Sequence, residues 1–238
     1  MKDLFGKAIL DYQTGNKPQD LITETSISEA DEMSIAYLFR GFEKMPKMEQ
    51  NALLLSKGKV LDVGCGAGSH SLYLQEKGFD VTPINISPNA IKACQLRGLK
   101  KATVQDVMSM KGEQFDTILL LMNGAGMCGR LKNISRFLLQ LKSLLKENGQ
   151  ILVDSSDIIY MFDEDEDGGK WIPGDTYYYG ELEFKISYKG EMEKPFDWMY
   201  VDFNTLQNAA LANGLACELL VEGDHFDYLA RLIHQKIT

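Results

Sequence analysis

Val60-Leu61-Asp62-Val63-Gly64-Cys65-Gly66-Ala67-Gly68-Ser69 carries a short apolar stretch into three alternate glycines and then into a helical pattern. Residues 59–63 read as a buried strand, and 69–77 as a helix closed by Gly78. The glycines permit a sharp turn and leave bare main chain against which a ligand can lie. The helix start beyond them offers unpaired N–H groups to an anion. In open α/β sheets this strand-to-helix loop lies at the carboxyl edge, where such folds bind ligands.

Working outward, short apolar runs alternate with helical patterns. Strands are expected over 79–86, 103–105, 116–122 and 151–153. The run 116–122 is almost wholly aliphatic, as a strand covered on both faces requires. Ser87-Pro88 supplies a capping hydroxyl and a first-turn proline for a helix ended by Gly98. Phe137, Leu138, Leu141, Leu144 and Leu145 share one side of a helix over 134–146, with Gly149 beyond it. That alternation specifies right-handed strand–helix–strand units and an open parallel sheet with helices on both faces. A further helix over 205–212 ends at Asn213-Gly214. The last two strands, 217–221 and 228–233, are joined by Glu222-Gly223-Asp224-His225, too short for a parallel crossover. The sheet therefore ends in an antiparallel hairpin.

Residues 1–58 carry no strand signature; helices are expected over 4–12, 29–39 and 47–56, with Ser28 capping the second. One domain accounts for the chain: a helical N-terminal cap (1–58), a ligand-binding core (59–158), an aromatic-rich insert (159–202), and a C-terminal helix with its antiparallel hairpin (203–238). The 238 residues are 45% hydrophobic, 25% charged and 10% aromatic, the profile of a globular protein. A chain of that length buries roughly 70% of its unfolded surface and needs no disulfide or metal to hold a core.

The 25 basic and 34 acidic residues give a formal charge of −9. A protein that grips phosphate backbones needs a basic face, so neither nucleic acid nor an anionic membrane is expected as a partner. Cys65, Cys94, Cys128 and Cys217 lie at neither zinc-ligand nor redox-pair spacing and fit reduced thiols. Charge at Lys2, Asp3 and Lys7 replaces the apolar run of a signal peptide, and the longest aliphatic stretch, 118–122, is far below a membrane span. A cytoplasmic protein is expected, as a monomer or a homodimer.

A dinucleotide loop reads GxGxxG, with its third glycine at position 69. Here position 69 is Ser and the pattern is GxGxG, which argues against a nicotinamide oxidoreductase. Residues 60–69 resemble instead the first motif of the class I S-adenosylmethionine-dependent methyltransferases, and the likeness extends over about 59–238. It implies a Rossmann-like, doubly wound, mostly parallel seven-stranded sheet of order 3-2-1-4-5-7-6 with one antiparallel strand, extended by the N-terminal helices and by a β-hairpin insert after strand 5. By that likeness Asp62 helps hold the methionine amine, and Gly64, Cys65, Gly66 and Gly68 line the methionine and ribose of S-adenosyl-L-methionine.

The same resemblance places Asn85 and Ile86 at the ribose, Asp106 and Val107 at the adenine, and Met122 and Asn123 at the methionine end. Asn85 stands where the family usually has Asp or Glu, so one ribose hydrogen bond is weaker or reversed in direction, a loss of about 1 kcal/mol. That departure motivates an alternative, a non-catalytic binder or sensor of S-adenosylmethionine or S-adenosylhomocysteine. Asp106 also reads as a helix cap, and Asn123-Gly124 as a turn. Nucleic-acid amino-methylating members carry an Asn/Asp-Pro-Pro-aromatic motif after the fourth strand; this chain has Asn123-Gly124-Ala125-Gly126.

Between Trp171 and Tyr200 fall nine of the chain's 23 aromatics. Alternation at Leu182, Phe184, Ile186 and Tyr188, and again at Phe196, Trp198 and Tyr200, predicts a hairpin. Its place after the fifth strand makes it a substrate-pocket wall, a satellite core or a dimer surface. Trp171 and Tyr178 are candidates for that wall. Tyr12, whose ring face suits a sulfonium, and His70, one residue into the first core helix, are further pocket candidates. His225 lies in the terminal turn without a partner carboxylate in sequence. The acidic run Asp163 to Asp167 opens like a calcium loop, but position 174 is Gly where a bidentate Glu is needed; a solvated loop is expected and no metal. No nucleophile elbow, phosphate-loop lysine or zinc array is present. Methyl transfer to a small molecule, with no designated catalytic residue, is the expected activity.

Overall fold

The structure is a computed structural model and describes residues 2–165, 167–172 and 177–235. It opens with helix α1 (Leu4–Thr14), a hairpin of β1 (Leu21–Thr25) and β2 (Ser28–Met33), and helix α2 (Lys47–Leu55). The core follows: β3 (Lys59–Val63), α3 (Ser69–Glu76), β4 (Asp80–Asn85), α4 (Pro88–Leu96), β5 (Thr103–Val104), β6 (Phe115–Leu120), α5 (Ile134–Ser143) and β7 (Leu145–Ser156). The insert holds β8 (Glu181–Tyr188), β9 (Glu191–Met192) and β10 (Phe196–Met199). Helix α6 (Phe203–Ala212), β11 (Leu215–Glu222) and β12 (Asp227–His234) complete the chain.

Seven strands form one sheet in the order β11-β12-β7-β6-β3-β4-β5. Only β12 is reversed against its neighbours β7 and β11; the pairs from β7 through β5 are parallel. This is the expected order with the expected antiparallel strand. Alternate side chains divide between the faces. Leu61, Ile118, Leu120 and Ile151 pack under α5 and α6, while Val60, Leu119, Leu121 and Leu152 pack under α2 and α3. Burial on both faces explains why the strands read as unbroken aliphatic runs. Ser87 caps α4 by accepting the Ala90 N–H at 2.9 Å, with Pro88 in the first turn, as the sequence requires.

The helix expected over 29–39 is not formed. Ser28–Met33 is β2, and Ile35–Phe39 makes a short 3₁₀ turn. Ser28 caps no helix; its hydroxyl lies 2.8 Å from Thr25 Oγ1 inside the hairpin. Ser28–Met33 pairs antiparallel with β1, and β1 is held on its other side by a strand out of local reach, β8, in the register Ile22↔Ser187 and Thr25↔Phe184. A second sheet results, ordered β10-β8-β1-β2 with β9 beside β8. The hairpin expected in the insert is present, and the N-terminal strands extend it. Glu29, Asp31 and Glu32, which resemble the charged face of a helix, lie instead on an edge strand, where charge opposes further pairing.

Helix α1 is held by the insert and by α4. Glu193 accepts the N–H groups of Lys2 at 2.8 Å and Leu4 at 3.2 Å, supplying from far along the chain the acceptor a local cap would give. Near its other end the Tyr188 hydroxyl donates to Asp11 Oδ2 at 3.0 Å, and Lys189 pairs with Asp11 at 2.7 Å. A Cβ on Gly6 would fall 1.9 Å from Ser87 Oγ, so α1 can lie this close to the α4 start only with glycine there. The first helix and the insert thus form one layer over the carboxyl edge of the core sheet.

Candidate cofactor site

The glycine loop is pinned to the neighbouring strand: the N–H groups of Gly64 and Cys65 both donate to the Ile84 carbonyl, at 2.9 and 3.0 Å. Its glycines do different work. At Gly66, φ is +53° and an added Cβ would meet nothing nearer than the Gly64 carbonyl oxygen at 3.9 Å, so that face of the loop is open. At Gly68, φ is +83° and a Cβ would lie 2.5 Å from Leu99 Cδ1 and 3.0 Å from Cys94 Sγ. Gly66 leaves its face of the loop bare, whereas Gly68 lets the α3 start pack against α4. Cys65 contributes only main chain, because its buried Sγ faces Cys94 Sγ at 3.9 Å; Cys94 in turn donates to the Gly66 carbonyl at 3.3 Å.

At the end of β4, Asn85 Oδ1 accepts the Ser87 N–H at 2.9 Å. Since an N–H needs an acceptor, this fixes the amide orientation and leaves Asn85 Nδ2, a donor, as the free group. Ile86 beside it is 55% exposed. After β5, Asp106 Oδ1 accepts the Met108 N–H at 2.9 Å and caps a 3₁₀ turn; its second oxygen accepts no hydrogen bond among the described residues. Val107 is buried in the core beneath. The capping reading of Asp106 therefore describes one oxygen and leaves the other available.

Below the loop lies a buried charge cluster that local sequence patterns do not announce. Asp62 is 2% exposed and accepts the Ser71 hydroxyl at 2.6 Å. Burial pushes its carboxyl pKa up, against the pull of His70 and Ser71. His70 Nε2 lies 2.6 Å from Glu49 Oε2, and Arg40 forks onto the same carboxylate. Burial favours neutral imidazole, but the Glu49 hydrogen bond and the nearby Asp62 carboxylate outweigh it, and the His70 pKa is raised. Burial likewise works against the charged form of Glu49, whose pKa is nonetheless lowered by His70 and Arg40. His70 is thus buried with its Nε2 engaged by Glu49 and does not stand free in the crevice. The Arg40 guanidinium stacks 3.7 Å from the Tyr37 ring centre, and its buried Nε has no partner among the described residues.

The expected fourth strand, 116–122, ends two residues early, at Leu120. Met122 and Asn123 both take left-handed backbone at φ +59°. Asp154, near the end of β7, accepts both of their N–H groups, at 3.0 and 2.7 Å. Burial raises the Asp154 pKa to about 6 even so. The Asn123 side chain is held by the Ser155 hydroxyl at 2.8 Å and the Met199 carbonyl at 3.3 Å, making it a turn residue; Met122 beside it is exposed.

The N-terminal segment crosses the loop. Ser69 Oγ donates to the Leu38 carbonyl at 2.7 Å, and Arg97, bound to the Ala67 carbonyl at 2.6 Å, lies 4.7 Å from the Phe39 ring. Tyr12 packs on Phe39 with centroids 4.5 Å apart, so it is brought to the rim of the glycine loop. The insert candidates are not gathered there. Trp171 is 67% exposed, and Tyr178 is buried in the core, its hydroxyl donating to Asp202 Oδ2 at 2.7 Å and accepting the Asp202 N–H at 2.8 Å. His225 sits in an exposed turn. In the acidic loop Asp165 accepts the Asp167 and Gly169 N–H groups and Glu164 pairs with Lys170; Glu166 and position 174 lie outside the described residues.

Sequence reasoning missed Tyr37, Arg40, Glu49 and Asp154. Only Asp154 carried a signal, its position at the carboxyl end of the fifth core strand. Tyr37 and Arg40 lie in or next to the stretch misread as helix, and Glu49 sits in the expected helix α2 (Lys47–Leu55), where nothing local marks it.

Known proteins resemble this chain in sequence and in fold. Residues 36–184 match the family described as "Methyltransferase domain". A crystal structure of a SAM-dependent methyltransferase from Bacteroides fragilis, in complex with S-adenosyl-L-homocysteine, is 44% identical and superposes with a TM-score of 0.91 over 99% of this chain and 96% of that one. The sugar N-methyltransferase KedS8 from Streptoalloteichus sp. ATCC 53650 shares the fold at 16% identity, with a TM-score of 0.59 over 88% of this chain and 96% of that one. Ubiquinone biosynthesis O-methyltransferase of Xylella fastidiosa (strain 9a5c) is 36% identical over 72 residues, 27% of this chain and 29% of that protein. The chain matches such curated relatives over less than half of their length.

Proposed function

The chain belongs to the methyltransferase-domain family, and on that premise we propose that it passes the methyl group of S-adenosylmethionine to a small-molecule acceptor by in-line displacement. When bound, S-adenosylmethionine supplies an already activated sulfonium methyl. The protein's part is to hold an acceptor about 3 Å from that carbon and keep water out. No dedicated acid is required, which agrees with a site that has a built cradle and no nucleophile.

The carrying observation is the open face of Gly66 at the carboxyl edge of the sheet, beside buried Asp62. In this reading the main chain of Gly64 to Gly68 lies against the methionine and ribose. The Asn85 amide donates to a ribose hydroxyl, the unengaged oxygen of Asp106 takes the adenine amino group, and exposed Ile86 covers the base. Orphaned Arg40 Nε suits the amino-acid carboxylate of the same ligand, since a buried guanidinium donor without an acceptor is costly. Asp62 and the Met122–Asn123 turn border the methionine end, with Tyr12 at the rim.

The chain works as a single domain in the cytoplasm; among the described residues no helix is long and apolar enough to cross a membrane. Its acidic balance favours a small-molecule acceptor over nucleic acid. The test is turnover of methyl-labelled S-adenosylmethionine against a metabolite panel. A methylated product with stoichiometric S-adenosylhomocysteine is expected, and cofactor binding without turnover of any acceptor would count against the proposal.

A further inference from the structure

A cavity of ≈ 400 Å³ lies between the β1–β2 hairpin, the insert and the carboxyl end of β7. Two of its lining residues are the chain neighbours of groups that hold the Asn123 side chain. Ser156 follows Ser155, whose hydroxyl is bound to Asn123, and Tyr200 follows Met199, whose carbonyl accepts from Asn123. Its walls include the rings of Tyr160, Phe184 and Tyr200, with Phe184 and Tyr200 roughly parallel at 6.4 Å. Its lining also includes Glu29 and Asp31 from β2, both exposed, and no Lys, Arg or His is among the described lining residues.

Glu24, on the opposite face of β1, is paired with Lys185 at 2.7 Å. Glu29 and Asp31 have no ionic partner among the described residues. Two carboxylates without an ionic partner among the described residues, lining one cavity with aromatic rings, attract a cation on both counts, by charge and by the negative faces of the rings. An anionic group would be repelled, and a neutral one would gain only the apolar contact.

We propose that this cavity is the acceptor pocket and that it takes a small molecule carrying a protonated amine. The ammonium is anchored by Glu29 and Asp31 at the β2 end, and the atom to be methylated is directed towards the Asn123 turn. The assignment rests on the methyl-transfer reading and adds the chemical class of the acceptor. A neutral atom with a lone pair forms the new bond to the methyl carbon as the methyl–sulfonium bond breaks. S-adenosylhomocysteine leaves as the neutral thioether, and the acceptor's displaced proton is released to solvent. The anchored ammonium, lacking a lone pair, does not react. The bland reading of the two carboxylates, as charge that protects an edge strand, predicts no ligand preference at all.

The test compares benzylamine, benzyl alcohol and benzoate, close in shape and different in charge, by calorimetry on the full chain. Wild type is expected to bind benzylamine at least about tenfold more tightly than benzyl alcohol, with benzoate weakest. Glu29→Gln combined with Asp31→Asn should abolish that order without altering the circular dichroism spectrum. Equal affinities for the three probes, no binding of benzylamine, or an order that survives the double substitution would each overturn the assignment. S-adenosylhomocysteine is titrated in parallel. If it binds while the amine preference is absent, the pocket assignment alone fails; if it does not bind, the methyl-transfer reading fails.

Discussion

Asp154 accepts the Asn123 N–H through Oδ1 at 2.7 Å while its other oxygen takes the adjacent Met122 N–H at 3.0 Å. One carboxylate thereby holds two consecutive left-handed residues, a conformation that costs of order 1–3 kcal/mol at each non-glycine position. Asp154→Asn preserves the shape but turns an NH₂ donor towards one of those N–H groups. The expected loss is about 2–3 kcal/mol of unfolding free energy, measured by urea titration. An unchanged midpoint would mean that the turn holds itself.

The glycines should separate binding from stability. Gly66→Val projects into open space and is expected to remove detectable S-adenosylhomocysteine binding while the protein still unfolds cooperatively. Gly68→Ala drives a methyl into Leu99 and Cys94 and should cost about 2 kcal/mol or more of stability. Calorimetry and thermal unfolding on both variants check the contrast. Normal cofactor affinity in Gly66→Val would remove the loop from the site.

Asn85→Asp keeps an acceptor for the Ser87 N–H and frees a second carboxylate oxygen for a ribose hydroxyl. Replacing a neutral hydrogen bond with a charged one is worth about 1 kcal/mol, so S-adenosylhomocysteine should bind roughly fivefold more tightly. A large loss of affinity would show that the residue lies elsewhere than at the ribose.

The Glu49–His70 pair gives stability a defined pH window. The lowered Glu49 pKa means its contribution is present above the unfolded value of about 4.3 and is lost as pH falls through the folded value. The raised His70 pKa means its contribution is full below about 6.5 and is lost as pH rises through the folded value. Asp154, raised to about 6, acts in the opposite sense to Glu49 and withdraws stability as pH climbs from its unfolded value of about 3.9 towards 6. His70→Gln can still donate to Glu49 but cannot titrate. Urea unfolding from pH 6 to 9 should show wild-type stability declining and a flatter profile in the variant. Equal slopes would assign the decline to another group.

Tyr178→Phe deletes a hydroxyl that both donates to and accepts from Asp202 in the core. About 1–2 kcal/mol of stability should go, with cofactor affinity unchanged. A selective rise in acceptor KM, with wild-type stability, would return Tyr178 to the pocket.

The core was legible because each of its signals is local. Val60 to Ser69, the Ser87-Pro88 cap and the aliphatic run at 118–121 each state their structure within a few residues; handedness and connection length give the parallel sheet with its antiparallel end, and the strand order came with the family resemblance. Residues 28–33 were not legible. Their charges suit a helix surface and an edge strand equally, and the strand they pair with, β1, is itself held by β8, which lies far along the chain. The same distance hid Glu49 and Arg40, whose meaning depends on His70. At Asn85 the residue type was informative, but which of its two polar atoms is spoken for needed the Ser87 contact.

The Ile22↔Ser187 register also governs timing during synthesis. Emerging from the ribosome at about 5–20 residues per second, the first hairpin waits on the order of ten to thirty seconds for the strand that completes it. Contacts so remote in sequence form late and slowly. A nascent chain interrupted before β8 can already fashion its glycine turn, yet it has no wall opposite Glu29 and Asp31 against which to seat an acceptor.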